Sequence, residues 1–216
     1  MHKENTQGLK QYLLEPRNIV ITNHVNPDGD AIGSCLALSS LLKKISHNVS
    51  IISPNEPPHF LNWTPGFDDI LYFDSDPEGC QNKIEFSDLI FTLDFNDLNR
   101  IGELGGVIKS SDSKKIMIDH HRNPKDYADL MFSEPEIGST CELLYELIIS
   151  MGFEKSIEKR DNYRADKKEE LYNILSKRLV FYGINYILLY TIQFFLISGQ
   201  ERLESIVKDI KDVVSI

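Results

Sequence analysis

The sequence predicts an α/β protein built on a doubly wound, mostly parallel sheet, and three observations carry that expectation. Short apolar, β-branched runs recur at residues 18–22, 48–52, 89–93 and 115–118, as buried strands require. Helix-spaced segments alternate with them, the pattern of crossovers between parallel strands. Three of the runs deliver Asp or His at or just past their carboxyl ends, where open α/β sheets place their ligands.

Taken in order, residues 4–15 read as a leading helix with Leu9, Tyr12 and Leu13 on one face. The strand at 18–22 runs into Asn23-His24-Val25-Asn26-Pro27-Asp28-Gly29-Asp30-Ala31-Ile32-Gly33-Ser34. Pro27 and Gly29 punctuate a tight turn. Beyond it, Ala31, Leu36, Leu38, Leu41, Leu42 and Ile45 are spaced for a helix packed on the sheet. Residues 48–52 form the next strand, and Pro54, Pro57 and Pro58 stiffen the loop after it. Residues 69–73 read as a short edge strand and 74–79 as a polar turn. Trp63 and Phe67 read as aromatics packing that loop rather than as base-stacking platforms. The run at 89–93 is apolar throughout, as a strand buried on both faces should be, and it ends in Asp94. Asp97 and Arg100 follow at helical spacing, placed to pair with each other. The strand at 115–118 delivers Asp119-His120-His121, and a helix is expected over 143–151.

Composition bounds the function. The chain has 216 residues, enough for one sizeable α/β domain or one domain with a partial second. A formal net charge of −10 removes the general electrostatic footprint of a protein that grips long duplex nucleic acid. A small anionic substrate held by metals and a few local cations remains compatible with that charge. Cys35, Cys80 and Cys141 are far apart and form no C-x-x-C, which suggests reduced thiols in a cytoplasmic protein. The first residues, Met1-His2-Lys3-Glu4-Asn5, lack the apolar core of a signal peptide.

The three strand ends together supply His24, Asp28, Asp30, Asp94, Asp119, His120 and His121. Each has a bland reading: a solvated turn with a helix cap at 28–30, a cap at Asp94, two surface histidines at 120–121. Three such stretches in one sheet outweigh those readings. A mixed carboxylate and imidazole cluster of this size suits a pair of Mn²⁺ ions, with no thiolate among the donors. Ser34 reads as a packing or capping residue, and the sequence offers no convincing protein nucleophile.

His24-x-Asn26-Pro27-Asp28-Gly29-Asp30-Ala31-Ile32-Gly33-Ser34, the strand ending in Asp94, and Asp119-His120-His121 resemble motifs I, II and III of the DHH phosphoesterases. Within that family the sequence is most similar to the oligoribonuclease and pAp-phosphatase branch (NrnA type), related to the RecJ exonuclease. Gly138-Ser139-Thr140-x-Glu142, ahead of the helix at 143–151, resembles the same branch. The resemblance implies that His24 and Asp28 bind one Mn²⁺, that Asp30 and His120 bind the other, and that Asp94 bridges them. It implies that Asp119 orients the cluster and that His121 contacts the scissile phosphate or protonates the leaving group. Arg100 is a weaker substrate-binding candidate, since a surface ion pair accounts for it equally well. A hydroxide held between the two metals would attack phosphorus.

The resemblance ends near residue 159. It implies a DHH domain over residues 1–158 and an atypical helical tail over 159–216 in place of the family's usual second domain. Family members continue with a strand ending in Asp-Thr-Gly, then a second domain with a glycine-rich, His-containing motif; neither pattern is found here. Residues 161–178 are charged and helix-like, and 180–198 run nineteen residues without a charge. That run reads as a transmembrane helix, as a helix buried against protein, or as the product of a reading-frame change. Asn185, Thr191 and Gln193 weigh against the membrane reading. Leu203, Ile206, Val207, Ile210, Val213 and Val214 share one helical face.

Two functions are therefore expected in competition. One is a metal-dependent phosphoesterase hydrolysing short single-stranded RNA, pAp or related small nucleotides, without affinity for long duplex DNA. The other is a degenerate relative that binds nucleotide or a partner protein with little turnover. A homodimer is compatible with either.

Overall fold

The computed structural model describes residues 3–153 of the chain. Its sheet is laid out around β1 (Asn18–Thr22). The chain moves outward from there through α2 (Gly29–Lys44) to β2 (Asn48–Ser53) and then to β3 (Ile70–Tyr72). It returns through α3 (Pro77–Glu85) to the other side of β1 as β4 (Leu89–Leu93). From β4 it continues through α4 (Glu103–Ser110) to β5 (Lys114–Asp119) and on to β6 (Leu130–Ser133). A leading helix, α1 (Lys3–Tyr12), and a closing one, α5 (Thr140–Ser150), complete the described part. The strand order is β3-β2-β1-β4-β5-β6, and all five pairings are parallel.

The register explains why the central strands are apolar throughout. Ile21 stands opposite Ile51 on one side and Phe91 on the other, and Phe91 in turn meets Ile116. Alternate side chains then enter different cores. Ile19, Ile21, Leu89, Phe91 and Leu93 join Leu9 of α1, Leu38 and Leu42 of α2 and Leu144 and Leu147 of α5 on one face. Val20 and Ile90 join Cys80 and Ile84 of α3 and Leu104 and Ile108 of α4 on the other. Helices on both faces of a parallel sheet are the doubly wound architecture expected from the sequence.

Several local expectations change. Residues 74–79 were expected to be a polar turn, but the turn is only the entry to α3. The Asp76 carboxylate accepts a hydrogen bond from the Gly79 N–H and Pro77 occupies the first turn, a helix start built from turn-forming residues. The side chains of Asp97 and Arg100 form no ion pair; instead the Arg100 N–H bonds the Asp97 carbonyl at 2.9 Å. The Asp97 side chain accepts from the Asn99 N–H at 2.9 Å, capping the short 3₁₀ turn Leu98–Ile101. The leading helix ends at Tyr12, ahead of Pro16. The three cysteines are buried, and no disulfide joins any two of them. No helix among the described residues is long and apolar enough to cross a membrane, and the expectations for residues 159–216 lie outside the described residues.

This topology fixes where a site can be. The chain reverses direction across the sheet between β1 and β4, so the loops leaving their carboxyl ends part and open a crevice. The ends of β1, β4 and β5 are adjacent there.

Candidate metal centre

The loop after β1 is pinned before it carries any chemistry. Asn23 is fully buried and accepts a hydrogen bond from the Ser53 hydroxyl at 3.0 Å. Asn55 holds the turn from the next loop, accepting from the Asn26 N–H at 2.7 Å. His24 follows with Nδ1 2.9 Å from the Val25 carbonyl. A carbonyl only accepts, so Nδ1 carries the proton and Nε2 is the ring nitrogen left with a lone pair. Nε2 stands 3.5 Å from Asp94 Oδ2. Burial opposes a charge on His24, but the Asp94 carboxylate, the Val25 carbonyl and the charge of Asp28 outweigh it and raise its pKa.

Asp28 caps α2, its Oδ1 accepting from the N–H groups of Asp30 and Ala31 at 2.9 and 3.1 Å. Both capping bonds go to Oδ1, and Oδ2 takes part in neither. Asp30, two residues on, is buried and faces a different element. Its two oxygens accept from the backbone N–H groups of Thr140 and Cys141, each at 2.8 Å, at the start of α5. Burial pushes its carboxyl up to about 6 and the charge of Asp94 adds to the rise, while the N–H groups of α5 pull it back down.

Asp94 is the centre of the arrangement. It leaves β4 with φ at +64°, the left-handed region that costs a residue with a Cβ on the order of 1 kcal/mol. Its N–H bonds the Ile118 carbonyl at 3.1 Å, so the strained turn is tied to β5. One oxygen, Oδ2, faces His24; the other, Oδ1, accepts from the Thr140 hydroxyl at 2.9 Å and lies 3.6 Å from His120 Nε2.

The end of β5 divides the roles of its three polar residues. Asp119 is fully buried and both its oxygens are taken by His121: Oδ1 by the ring Nδ1 at 2.7 Å, Oδ2 by the backbone N–H at 2.9 Å. His120 points Nδ1 at the Ile137 carbonyl, 3.2 Å away, which leaves Nε2 toward Asp30 and Asp94 at 3.7 and 3.6 Å. The two rings are 4.7 Å apart between centroids. Asn96 ties this loop to the one after β4 by donating to the carbonyls of His121 and Arg122, each at 3.0 Å.

Two triads therefore have donor atoms within 4.8 Å of one another: His24, Asp28 and Asp94 on one side, Asp94, His120 and His121 on the other. Asp94 belongs to both. Asp30 adjoins the second through His120. Asp30, Asp94 and Asp119 are 1 %, 2 % and 0 % exposed, and no Lys or Arg among the described residues pairs with any of them. Buried carboxylates need a compensating charge. With imidazole lone pairs converging beside them, the donor set fits divalent cations of the Mn²⁺ type.

All seven strand-end residues singled out in the sequence thus meet at one place. Arg100 does not join them: its side chain is exposed and makes no ion pair or side-chain hydrogen bond among the described residues. Its backbone carbonyl accepts from the Val25 N–H at 3.0 Å, a support for the loop that carries His24. Thr140 is the site residue that sequence reasoning passed over. It lies inside the Gly138–Glu142 segment already noted, but nothing in the sequence says that its hydroxyl reaches Asp94.

Fold and centre together define a doubly wound α/β protein with a carboxylate–imidazole cluster, a candidate cation site, at its topological switch point. The chain belongs to the DHH family, whose N-terminal domain matches residues 18–177. That match extends past Lys159, into residues beyond the described part. The chain is 27% identical over 131 residues to the bifunctional oligoribonuclease and PAP phosphatase NrnA of Bacillus subtilis, covering 61% of this chain and 38% of that protein. It is 30% identical over 140 residues to the protein of the same name from Thermus thermophilus, covering 65% and 39%. It thus spans about two fifths of the length of these curated relatives. Its structure is similar to the crystal structure of an exopolyphosphatase-related protein from Bacteroides fragilis, with a TM-score of 0.76 and 35% identity, covering 94% of this chain and 59% of that one.

Proposed function

We propose that this chain is a metal-dependent phosphoesterase that hydrolyses short single-stranded oligoribonucleotides, pAp or related small nucleotides. The observation that carries the reading is the shared carboxylate. Asp94 offers one oxygen to each of two donor triads, beside buried acidic charge that no Lys or Arg among the described residues neutralises. The names of the curated relatives point to the same substrate class.

The residues that would hold the ions are His24, Asp28 and Asp94 on one side and Asp30, Asp94 and His120 on the other. Divalent ions bound there supply Lewis-acid polarisation of a phosphoryl oxygen and a water acidic enough to ionise near neutral pH. His121 stays outside the ligand set in this reading: unlike His24 and His120, the ring nitrogen it turns toward Asp94 is Nδ1, 3.9 Å from Oδ1, and that atom is committed to Asp119. That bond fixes the tautomer and leaves Nε2 to contact the phosphate or pass a proton to the leaving oxygen. Asp119 acts through His121, orienting the ring from a fully buried position. Arg100 is a peripheral substrate contact at most, and the domain works in the cytoplasm.

The test is hydrolysis of a panel of two- to five-nucleotide RNAs and pAp with added Mn²⁺. Turnover with Mn²⁺ that exceeds turnover with Zn²⁺, and is lost in Asp94→Ala, is the expected result. Metal binding without turnover of any of these would favour the degenerate, binding-only reading instead.

A further inference from the structure

We infer that Thr140 is a positioning residue for the metal centre, its hydroxyl fixing how the Asp94 carboxylate is shared between the two donor triads. The inference rests on the reading of that centre as a divalent-metal site.

A carboxylate on a short side chain rotates easily about its last bond, a broad torsion with no sharp staggered well. Asp94 has special need of a fixed rotation, because Oδ2 must face His24 while Oδ1 faces His120. The backbone does not set this: Asp94 leaves its strand in a left-handed conformation, and among the described residues the shortest hydrogen bond to its carboxylate comes from Thr140 Oγ1 at 2.9 Å, against 3.5 Å or more to the imidazoles. The hydroxyl donates, so it occupies one lone pair of Oδ1 and leaves the remaining directions for a cation. Thr140 is itself fully buried at the first position of α5, whose start is held by the Ser139 cap.

The same turn of helix holds the other carboxylate. The N–H groups of Thr140 and Cys141 take both oxygens of Asp30. One residue thus bonds Asp94 through its side chain and Asp30 through its backbone, 46 and 110 positions away in sequence. Because α5 packs on α2, which starts at Asp28 and carries Asp30, movement of α5 would shift both acids together.

The experiment is Mn²⁺ titration of the full chain by calorimetry, with the Mn²⁺ paramagnetic resonance spectrum recorded alongside, for wild type, Thr140→Val and Thr140→Ser. Valine keeps the shape and the N–H to Asp30 but removes the donor to Asp94. Loss of an outer partner of a metal ligand costs about 10- to 100-fold in affinity, so Thr140→Val should bind Mn²⁺ at least ~10-fold more weakly and show an altered spectrum. Thr140→Ser should stay within about threefold of wild type. A folded Thr140→Val, judged by circular dichroism, with wild-type affinity and spectrum would overturn the inference while leaving the metal site standing. A Thr140→Ser as weak as Thr140→Val would also overturn it, since the hydroxyl would then not be the operative group. A wild type that binds no Mn²⁺ would overturn the metal-site reading and this inference with it.

Discussion

Asp94 combines three costs in one residue: a left-handed backbone, near-complete burial and a negative charge close to Asp30. Such costs persist where surrounding structure and function demand them. Asp94→Asn separates them, because asparagine tolerates the left-handed region and still accepts from Thr140, but carries no charge. In metal-free buffer the variant should be more stable than wild type by on the order of 1 kcal/mol, measured by urea unfolding. With Mn²⁺ present its hydrolysis should fall by at least ~100-fold. A variant less stable than wild type without metal would mean that the Asp94 charge is already compensated. Asp119→Asn tests a different link. It should leave Mn²⁺ affinity nearly unchanged yet lower kcat by about 10²–10⁴-fold, since the carboxyl that selects the His121 tautomer is gone. Equal losses in metal affinity and kcat would place Asp119 among the ligands instead. The seven acidic and imidazole residues were legible in the sequence because each lies at the end of a strand or in the turn and helix start that follow it, and strand ends are visible as the limits of apolar runs. Thr140 was not. Its partners are remote in sequence, and a threonine opening a helix has an ordinary local explanation as part of a cap.

At the scale of elements, legibility follows burial. The strands β1, β4 and β5 stood out because the sheet buries both their faces, so their centres are largely apolar, while β2 is interrupted by the half-buried Ser50. By contrast β6 is four residues long with one fully buried side chain, Phe132, and carries no comparable signal. Helix α4 starts at Gly102, in the left-handed region at φ +60°, and buries only Leu104, Gly105 and Ile108. Helix α3 buries only Cys80 and Ile84, too few for a visible period, and its start looks like a turn. That start permits a quantitative check. A Cβ at Gly79 would collide with the Asp76 carboxylate that caps the helix. Asp76→Ala should cost about 1 kcal/mol, the usual worth of a cap. Gly79→Ala should be close to neutral, because losing the cap and gaining about 1 kcal/mol of helix propensity offset each other. In the Asp76→Ala background the same Gly79→Ala change should stabilise by about 1 kcal/mol. Chemical denaturation of the four proteins measures the cycle. Strict additivity would show that the cap and the glycine do not share space, and none of the four should differ in Mn²⁺ affinity, as α3 supplies no residue to the centre.

At the scale of the whole molecule, charge decides both what the protein avoids and what stabilises it. A net charge of −10 opposes the counterion-release term that holds proteins on long duplexes, so a gel shift at physiological salt should show no tight duplex binding. Part of that acidic charge lies at the centre, where Asp28, Asp30, Asp94 and Asp119 converge beside imidazoles with no Lys or Arg partner among the described residues. Folding without a cation therefore gathers like charges, those of Asp30, Asp94 and Asp119 buried, and a cation that binds the folded state alone must raise stability. At a Mn²⁺ concentration 100 times its Kd the gain is about 2.7 kcal/mol. For a domain of this size that corresponds to a rise in Tm of roughly 5–10 °C. Scanning calorimetry in EDTA and then in millimolar Mn²⁺ should show the rise in wild type and lose most of it in Asp94→Asn, where the shared ligand has no charge. Thr140→Val should fall between the two, because it keeps every ligand but frees the rotation of one. Mn²⁺ that leaves Tm unchanged in all three would mean that the buried acids are neutralised by protons rather than by metal, and the reading of the centre would have to be given up.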